Sequence, residues 1–129
     1  MAKITAGDSR ELALYAAELA SDKMGKDLYL LEVGQVSIVA DYFLLVTGNT
    51  TIQVKTICDH LLETMKQKGY QTLRIEGYNE AWWVVLDYGI LVVHVFQPEA
   101  RTFYDLERLW DEAPRIMLDG DELKGDFND

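Results

Sequence analysis

Residues 48–51, Gly-Asn-Thr-Thr, join an apolar run to a predicted helix and are the feature of this chain most typical of an enzyme. Free backbone amides at the first turn of a helix can bind an anion such as a phosphate group. A nucleotidyltransferase has a Gly-Ser turn at such a junction and holds divalent metal with paired acids on a following strand. Here the downstream acids Asp59 and Glu63 lie on the helix itself, and Asp119 and Asp121 lie in the C-terminal tail. We therefore interpret the junction as an ordinary helix start capped by Thr50, with anion binding as the alternative.

Cys58, His60 and His94 are the only cysteine and histidine residues in the chain. A zinc site needs three or four ligands within reach, and Cys58 and His60, two apart on a helix, point to different sides, so no metal site is predicted. A Cys58–His94 nucleophile pair would need a lowered thiol pKa. Cys58 lies on the apolar stripe of its helix, which favours a packed thiol, and His94 lies in an apolar strand, which favours a structural histidine with one hydrogen bond.

Residues 81–96, AWWVVLDYGILVVHVF, have the composition of two strands joined by a tight turn at Tyr88-Gly89. Gly89 can supply the positive φ that a two-residue hairpin turn requires. The cross-strand pairs predicted from this turn are Asp87 with Ile90, Val85 with Val92, and Trp83 with His94.

The alternation of side chains along these strands predicts two different faces. An apolar face, typical of a core, carries Trp82, Val84, Leu86, Leu91, Val93 and Val95. The other face mixes rings with polar groups, as a protein contact surface does, and carries Trp83, Val85, Asp87, Ile90, Val92, His94 and Phe96. For Trp83, burial and interface remain equally open, whereas Tyr88 at the turn tip is hard to bury and is predicted to make a contact. Asp87 is interpreted as pinning the turn.

The composition restricts the class of protein. A chain of 129 residues with 49% apolar residues suits one folded domain with a real core. Its net charge of −10 disfavours direct binding of the nucleic-acid backbone and favours a basic partner. A single cysteine is typical of a reducing, cytoplasmic setting, and no run is long enough to span a bilayer.

The hydrophobic periodicity predicts helix, strand, strand, helix, three strands and helix, in that order. The first helix begins near Asp8, the second follows Thr50, and the third covers residues 103–110 and ends before Pro114. This order predicts an α/β domain over residues 1–116 with a mixed five-stranded sheet and packed helices. Residues 117–129 are predicted to be an acidic, flexible tail.

Three blocks of the sequence resemble the RsfS or Iojap family of ribosomal silencing factors. They are VSIVADYFLLVTGNTTIQVKTICDHL at residues 36–61, EGYNEAWWVVLDYGILVVHVF at 76–96 and RTFYDLERLW at 101–110. The resemblance implies a nucleotidyltransferase-like fold without the catalytic acids, no enzymatic activity and no cofactor. It further implies binding to the large-subunit ribosomal protein uL-fourteen, which sterically blocks joining of the small subunit and represses translation.

The resemblance also implies which residues touch the partner: Trp83, Asp87 and Tyr88 on the hairpin, with Tyr104 and Glu107 on the last helix. The chain departs from the family pattern at Ile90, where an acid usually follows the hairpin glycine. Two alternatives stay open. One is a nucleotide-binding or nucleotidyltransferase-type enzyme that uses residues 48–51, and the other is a weak homodimer through the same aromatic face.

Overall fold

The computed structural model describes residues 6–118, with side chains from Ser9 onwards. The helices are α1 (Ala6–Asp22), α2 (Thr51–Gln67), α3 (Pro98–Tyr104) and α4 (Leu106–Leu109), with one 3₁₀ turn at Val33–Gln35. The strands are β1 (Lys26–Leu31), β2 (Tyr42–Thr47), β3 (Arg74–Glu76), β4 (Trp83–Asp87), β5 (Leu91–Phe96) and β6 (Arg115–Leu118). They form one mixed sheet in the order β3-β4-β5-β2-β1-β6, in which β2 and β5 are parallel and the other neighbours antiparallel.

The two faces of the sheet are covered unequally. The long helices α1 and α2 pack on one face, where buried residues such as Leu44, Ile57 and Val93 form the larger core. The short helices α3 and α4 pack on the other, which we call the second face, over a smaller core that includes Phe43 and Phe96. The predicted α/β class is therefore confirmed.

Within residues 6–118 the sheet has six strands, so the prediction of five is wrong. The additional strand is β6, which pairs antiparallel with β1 from Leu28 opposite Leu118 to Leu31 opposite Arg115. Its four residues follow Pro114 and are too short a run to show a clear alternation. The predicted boundary between residues 116 and 117 consequently falls inside β6, and the rest of the predicted tail lies outside the described residues.

The last predicted helix is two short helices. α3 begins earlier than expected because Pro98, whose fixed φ suits a first helical position, starts it directly after β5. Asp105 then adopts a left-handed φ of 47° and separates α3 from α4. Asp105 turns the chain between Tyr104 and Leu106, so α3 and α4 do not form one continuous helical stripe.

The hairpin register differs from the predicted register by two residues. Trp83 pairs with Phe96, Val85 with His94 and Asp87 with Val92. The amide of Tyr88 donates to the carbonyl of Leu91 at 2.8 Å, so the turn consists of Gly89 and Ile90 instead of Tyr88 and Gly89. Because an even shift preserves the alternation, the residues paired in β4 and β5 remain on their predicted faces. Two flanking residues differ: Ile90 packs against the larger core, and Trp82, predicted in the core, precedes β4 and is exposed.

Candidate functional site

The second face is only partly covered at its β3–β4 end, and we call this part the open patch. It is defined by the half-buried side chains of Trp83, Val85 and Asp87 on β4 together with Tyr104 at the end of α3. Alternate residues of one strand point to one side of a sheet, which places the three β4 side chains in a row. The patch therefore brings together three of the predicted contact residues, Trp83, Asp87 and Tyr104.

Trp83 is the centre of a cluster of rings. Its indole stacks on Phe96 with centroids 5.3 Å apart and lies 4.5 Å from the ring of Tyr104. Its backbone packs closely against Gly77, where an added Cβ would overlap the Trp83 carbonyl oxygen. Trp83 is thus held rigidly while part of its ring stays exposed, the arrangement found in aromatic anchors of protein interfaces.

His94 lies beneath Trp83 and is buried. Its Nδ1 accepts a hydrogen bond from the Trp83 indole nitrogen at 3.1 Å. Since an indole can only donate, the neutral imidazole carries its proton on Nε2. That atom has no hydrogen-bond partner among the described residues. The prediction of a structural histidine with one hydrogen bond is confirmed.

Burial lowers the pKa of His94 to about 3 from its usual 6.5, because the imidazolium would lose its hydration. The unfolded chain binds a proton at this residue below pH 6.5, whereas the folded chain does not. The folded state should therefore lose stability as the pH falls from about 6.5 towards 3, by at most about 1.4 kcal/mol per pH unit from this residue. The free energy of unfolding, measured with urea at several pH values in this range, should fall less steeply with decreasing pH for His94→Gln than for the wild type. His60→Gln retains His94 and is the control; a wild-type slope in His94→Gln would contradict the assignment.

Tyr104 provides the most accessible ring of the open patch. Its side chain is 42% exposed, and its other ring neighbour is Phe103, which packs edge-on at 5.0 Å and is also exposed. The sequence predicted one continuous helix over residues 103–110, with Phe103 on the same side as Leu106. The break at Asp105 could not be read from the periodicity, so the exposure of Phe103 was missed.

Asp87 has the turn-pinning role expected for it. Its Oδ1 accepts a hydrogen bond from the Gly89 amide at 2.8 Å, and Gly89 has the predicted positive φ, 86°. Its Oδ2 lies 4.0 Å from Nη2 of Arg74, whose Nε lies 2.7 Å from Oε2 of Glu76. One arginine thus lies between two carboxylates at the margin of the open patch.

Glu107 lies apart from the open patch and makes an intramolecular ion pair. Its Oε2 accepts a hydrogen bond at 3.0 Å from Nε of Arg101, a buried residue of α3. Nη1 of Arg101 also donates to the hydroxyl of Thr47 on β2 at 2.9 Å, and its guanidinium lies 5.2 Å from the Tyr29 ring centroid. This network fixes α3 and α4 on the second face and so positions Tyr104. Contact of Glu107 with a partner stays a prediction.

Tyr88 is 9% exposed and packs in the larger core, so the prediction that it is hard to bury is wrong. Burial raises the pKa of its hydroxyl, and the nearby Thr72 opposes that rise. The chain before β3 is close to the turn, since the Leu73 amide donates to the Asp87 carbonyl at 2.7 Å. The burial leaves Tyr88 little surface for a partner.

Polar groups at the junction of residues 48–51 are occupied by hydrogen bonds within the chain. The Thr50 hydroxyl accepts from the Gln53 amide at 3.0 Å, as predicted for a helix cap, and Oε1 of Gln53 accepts from the Asn49 amide at 2.7 Å. The hydroxyl of Thr51 accepts from the Gln97 side chain at 3.1 Å. These contacts use groups that an anion would need, which favours the capped-helix interpretation.

Cys58 is a residue of α2 and packs in the larger core, whereas His94 lies on the second face, so the sheet separates them. Burial raises the pKa of the Cys58 thiol to about 12, so the thiolate is disfavoured. Within residues 6–118, no group of three or more metal-ligating side chains could hold an ion, and the acids at 119 and 121 fall outside that range. None of the helices in the same range is long and apolar enough to cross a membrane.

Residues 6–128 match the protein family described as "Ribosomal silencing factor during starvation". Ribosomal silencing factor RsfS of Halalkalibacterium halodurans is 38% identical over 112 residues, which cover 87% of this chain and 96% of that protein. Mitochondrial assembly of ribosomal large subunit protein 1 of Mus musculus is 27% identical over 95 residues, or 71% of this chain and 42% of that protein. A crystal structure from Chromobacterium violaceum superposes with a TM-score of 0.77 at 31% identity, covering 79% of this chain and 85% of that chain.

Proposed function

The chain belongs to the RsfS family of ribosomal silencing factors, which are not enzymes, and from that premise we propose that it binds the large ribosomal subunit. Bound there, it occupies the surface that the small subunit must reach and prevents the two subunits from joining. Translation is repressed by occupancy alone, so the mechanism needs no reacting group. The place of action is the cytoplasm, where joining occurs.

The open patch is the observation that supports this proposal. A rigid, half-exposed tryptophan with an exposed tyrosine beside it supplies the large apolar area that dominates affinity at protein interfaces. The charged side chains of Arg74, Glu76 and Asp87 at its margin provide a polar rim.

The charge of the chain favours a protein partner over ribosomal RNA. A net charge of −10 opposes binding to phosphate groups and attracts a basic surface. We propose the basic large-subunit protein uL-fourteen as the partner, as the family resemblance implies. The name of the mouse relative refers to the large ribosomal subunit and supports a large-subunit partner without naming the protein.

Two further parts of the interpretation remain proposals. The sheet with its packed helices is taken as a nucleotidyltransferase-like fold that lacks catalytic acids. The open patch would also allow weak self-association, because two copies can cover each other's exposed rings. Such a dimer and the ribosomal complex would compete for Trp83 and Tyr104.

Tyr104→Ala should weaken binding to purified large subunits by about 1–2 kcal/mol, because an exposed ring at the interface is lost while little core packing is removed. Co-sedimentation over a range of subunit concentrations measures the change. Ile52→Ala is the control, because it removes an exposed apolar side chain from α2, on the opposite face of the sheet. Equal binding of both variants and the wild type would contradict the proposed surface.

A photo-crosslinking amino acid at position 104 tests the identity of the partner. Irradiation of the complex with the large subunit should attach the chain to uL-fourteen. Attachment to ribosomal RNA or to a different ribosomal protein would refute that part of the proposal while leaving large-subunit binding intact.

A further inference from the structure

Arg74 stands out at the margin of the open patch because it is a cation where a basic partner would need anions. Its side chain is 67% exposed and lies on β3, the edge strand beside β4. Arg74 pairs with Asp87 and Glu76 with Val85 across the two strands, so both β3 side chains share the face of Trp83. The arginine lies 2.7 Å from Glu76 and 4.0 Å from Asp87, measured between the nearest nitrogen and oxygen atoms.

These ion pairs are too exposed to contribute much to folding. Solvent-exposed pairs of this kind typically contribute little to stability. The turn itself is held by the other oxygen of Asp87, which binds the Gly89 amide. Glu76 and the outer oxygen of Asp87 are therefore available to another cation if Arg74 moves aside.

We propose that Arg74 is an internal competitor: it occupies the two carboxylates that an arginine or lysine of the ribosomal partner binds in the complex. The inference rests on the proposed function and adds the chemistry of recognition at that site. A guanidinium inserted between Glu76 and Asp87 would lie on the same face of the sheet as Trp83, so one partner segment can supply both the basic group and the apolar contact. A planar guanidinium suits paired carboxylates because it presents several donors in one plane.

Removing the Arg74 side chain should strengthen binding, although a polar group is lost from the interface. Without Arg74 the two carboxylates lose their internal partner, and the approaching cation loses a repulsive neighbour. One unit charge about 6 Å away in water corresponds to roughly a threefold change in affinity. The gain should appear mainly in the association rate and should decrease as salt screens the charges.

The test measures association with purified large subunits by stopped flow and by co-sedimentation, at low and at physiological salt. Arg74→Ala should bind about threefold more tightly than wild type at low salt. Arg10→Ala is the matched control. It removes the same charge from an exposed pair with Glu32, but it lies on α1, which covers the other face. Arg74→Lys keeps the charge and should bind like wild type.

Each outcome decides the question. Tighter binding by Arg74→Ala than by Arg10→Ala supports the competitor role. Equal binding of these two variants, or weaker binding by Arg74→Ala, overturns that role and leaves the proposed function standing. If the wild type itself does not bind the large subunit, the proposed function fails, and the competitor role fails with it.

Discussion

Trp83→Ala should weaken binding to the large ribosomal subunit by about 2 kcal/mol or more, the range of a dominant interface residue. It should also lower the free energy of unfolding, by less than the roughly 3–5 kcal/mol lost with a fully buried aromatic, because Trp83 is only half-buried. The two effects share one origin. The indole stacks on Phe96 and Tyr104 and donates to His94, so its removal opens a cavity beneath the open patch and releases the tyrosine.

The binding effect must be separated from unfolding. Urea titration gives the folded fraction at the temperature of the binding assay, and the dissociation constant is corrected for it. Trp83→Phe should retain most of the binding, because it keeps an aromatic ring on Phe96. It removes the hydrogen bond donated to His94. A correctly folded Trp83→Ala protein that co-sediments like the wild type would exclude Trp83 as an anchor.

Glu107→Ala should lower the free energy of unfolding by at most about 3–5 kcal/mol, the cost of removing one partner from a fully buried ion pair, because the Glu107 side chain is 19% exposed. The Arg101 side chain is 10% exposed, so its charge cannot regain full hydration when the carboxylate is lost. Thermal and urea unfolding measure the change. Binding should fall as well, because the pair holds α3 and α4 against the sheet and thereby positions Tyr104.

A double variant, Arg101→Met with Glu107→Leu, is the matched control. Apolar side chains of similar size remove the buried charge together with its partner, and such replacements are often neutral or stabilising. The double variant should therefore be more stable than Glu107→Ala alone. If Glu107→Ala unfolds like the wild type, the ion pair with Arg101 does not contribute to stability.

The sequence by itself determined which side chains share a face. Alternation along residues 83–87 and 91–96 separated Val84 and Leu86 from Trp83 and Asp87, and the structure keeps that separation. The division survives a register error of two residues because the side chains of a strand alternate with a period of two. The cap of α2 was equally predictable, since Thr50 and Gln53 interact within four residues.

The tertiary structure alone decided what covers each face and how much of each ring remains exposed. Tyr88 is buried in the larger core, with the chain before β3 beside its turn, and Phe103 is exposed on α3, which ends at the break at Asp105. Thr47, which binds Arg101, and Asp87, which lies near Arg74, come from other strands, and their positions depend on the strand order. Local periodicity reports the direction of a side chain relative to its own backbone. Burial depends on segments far away in sequence, which only the folded arrangement brings together.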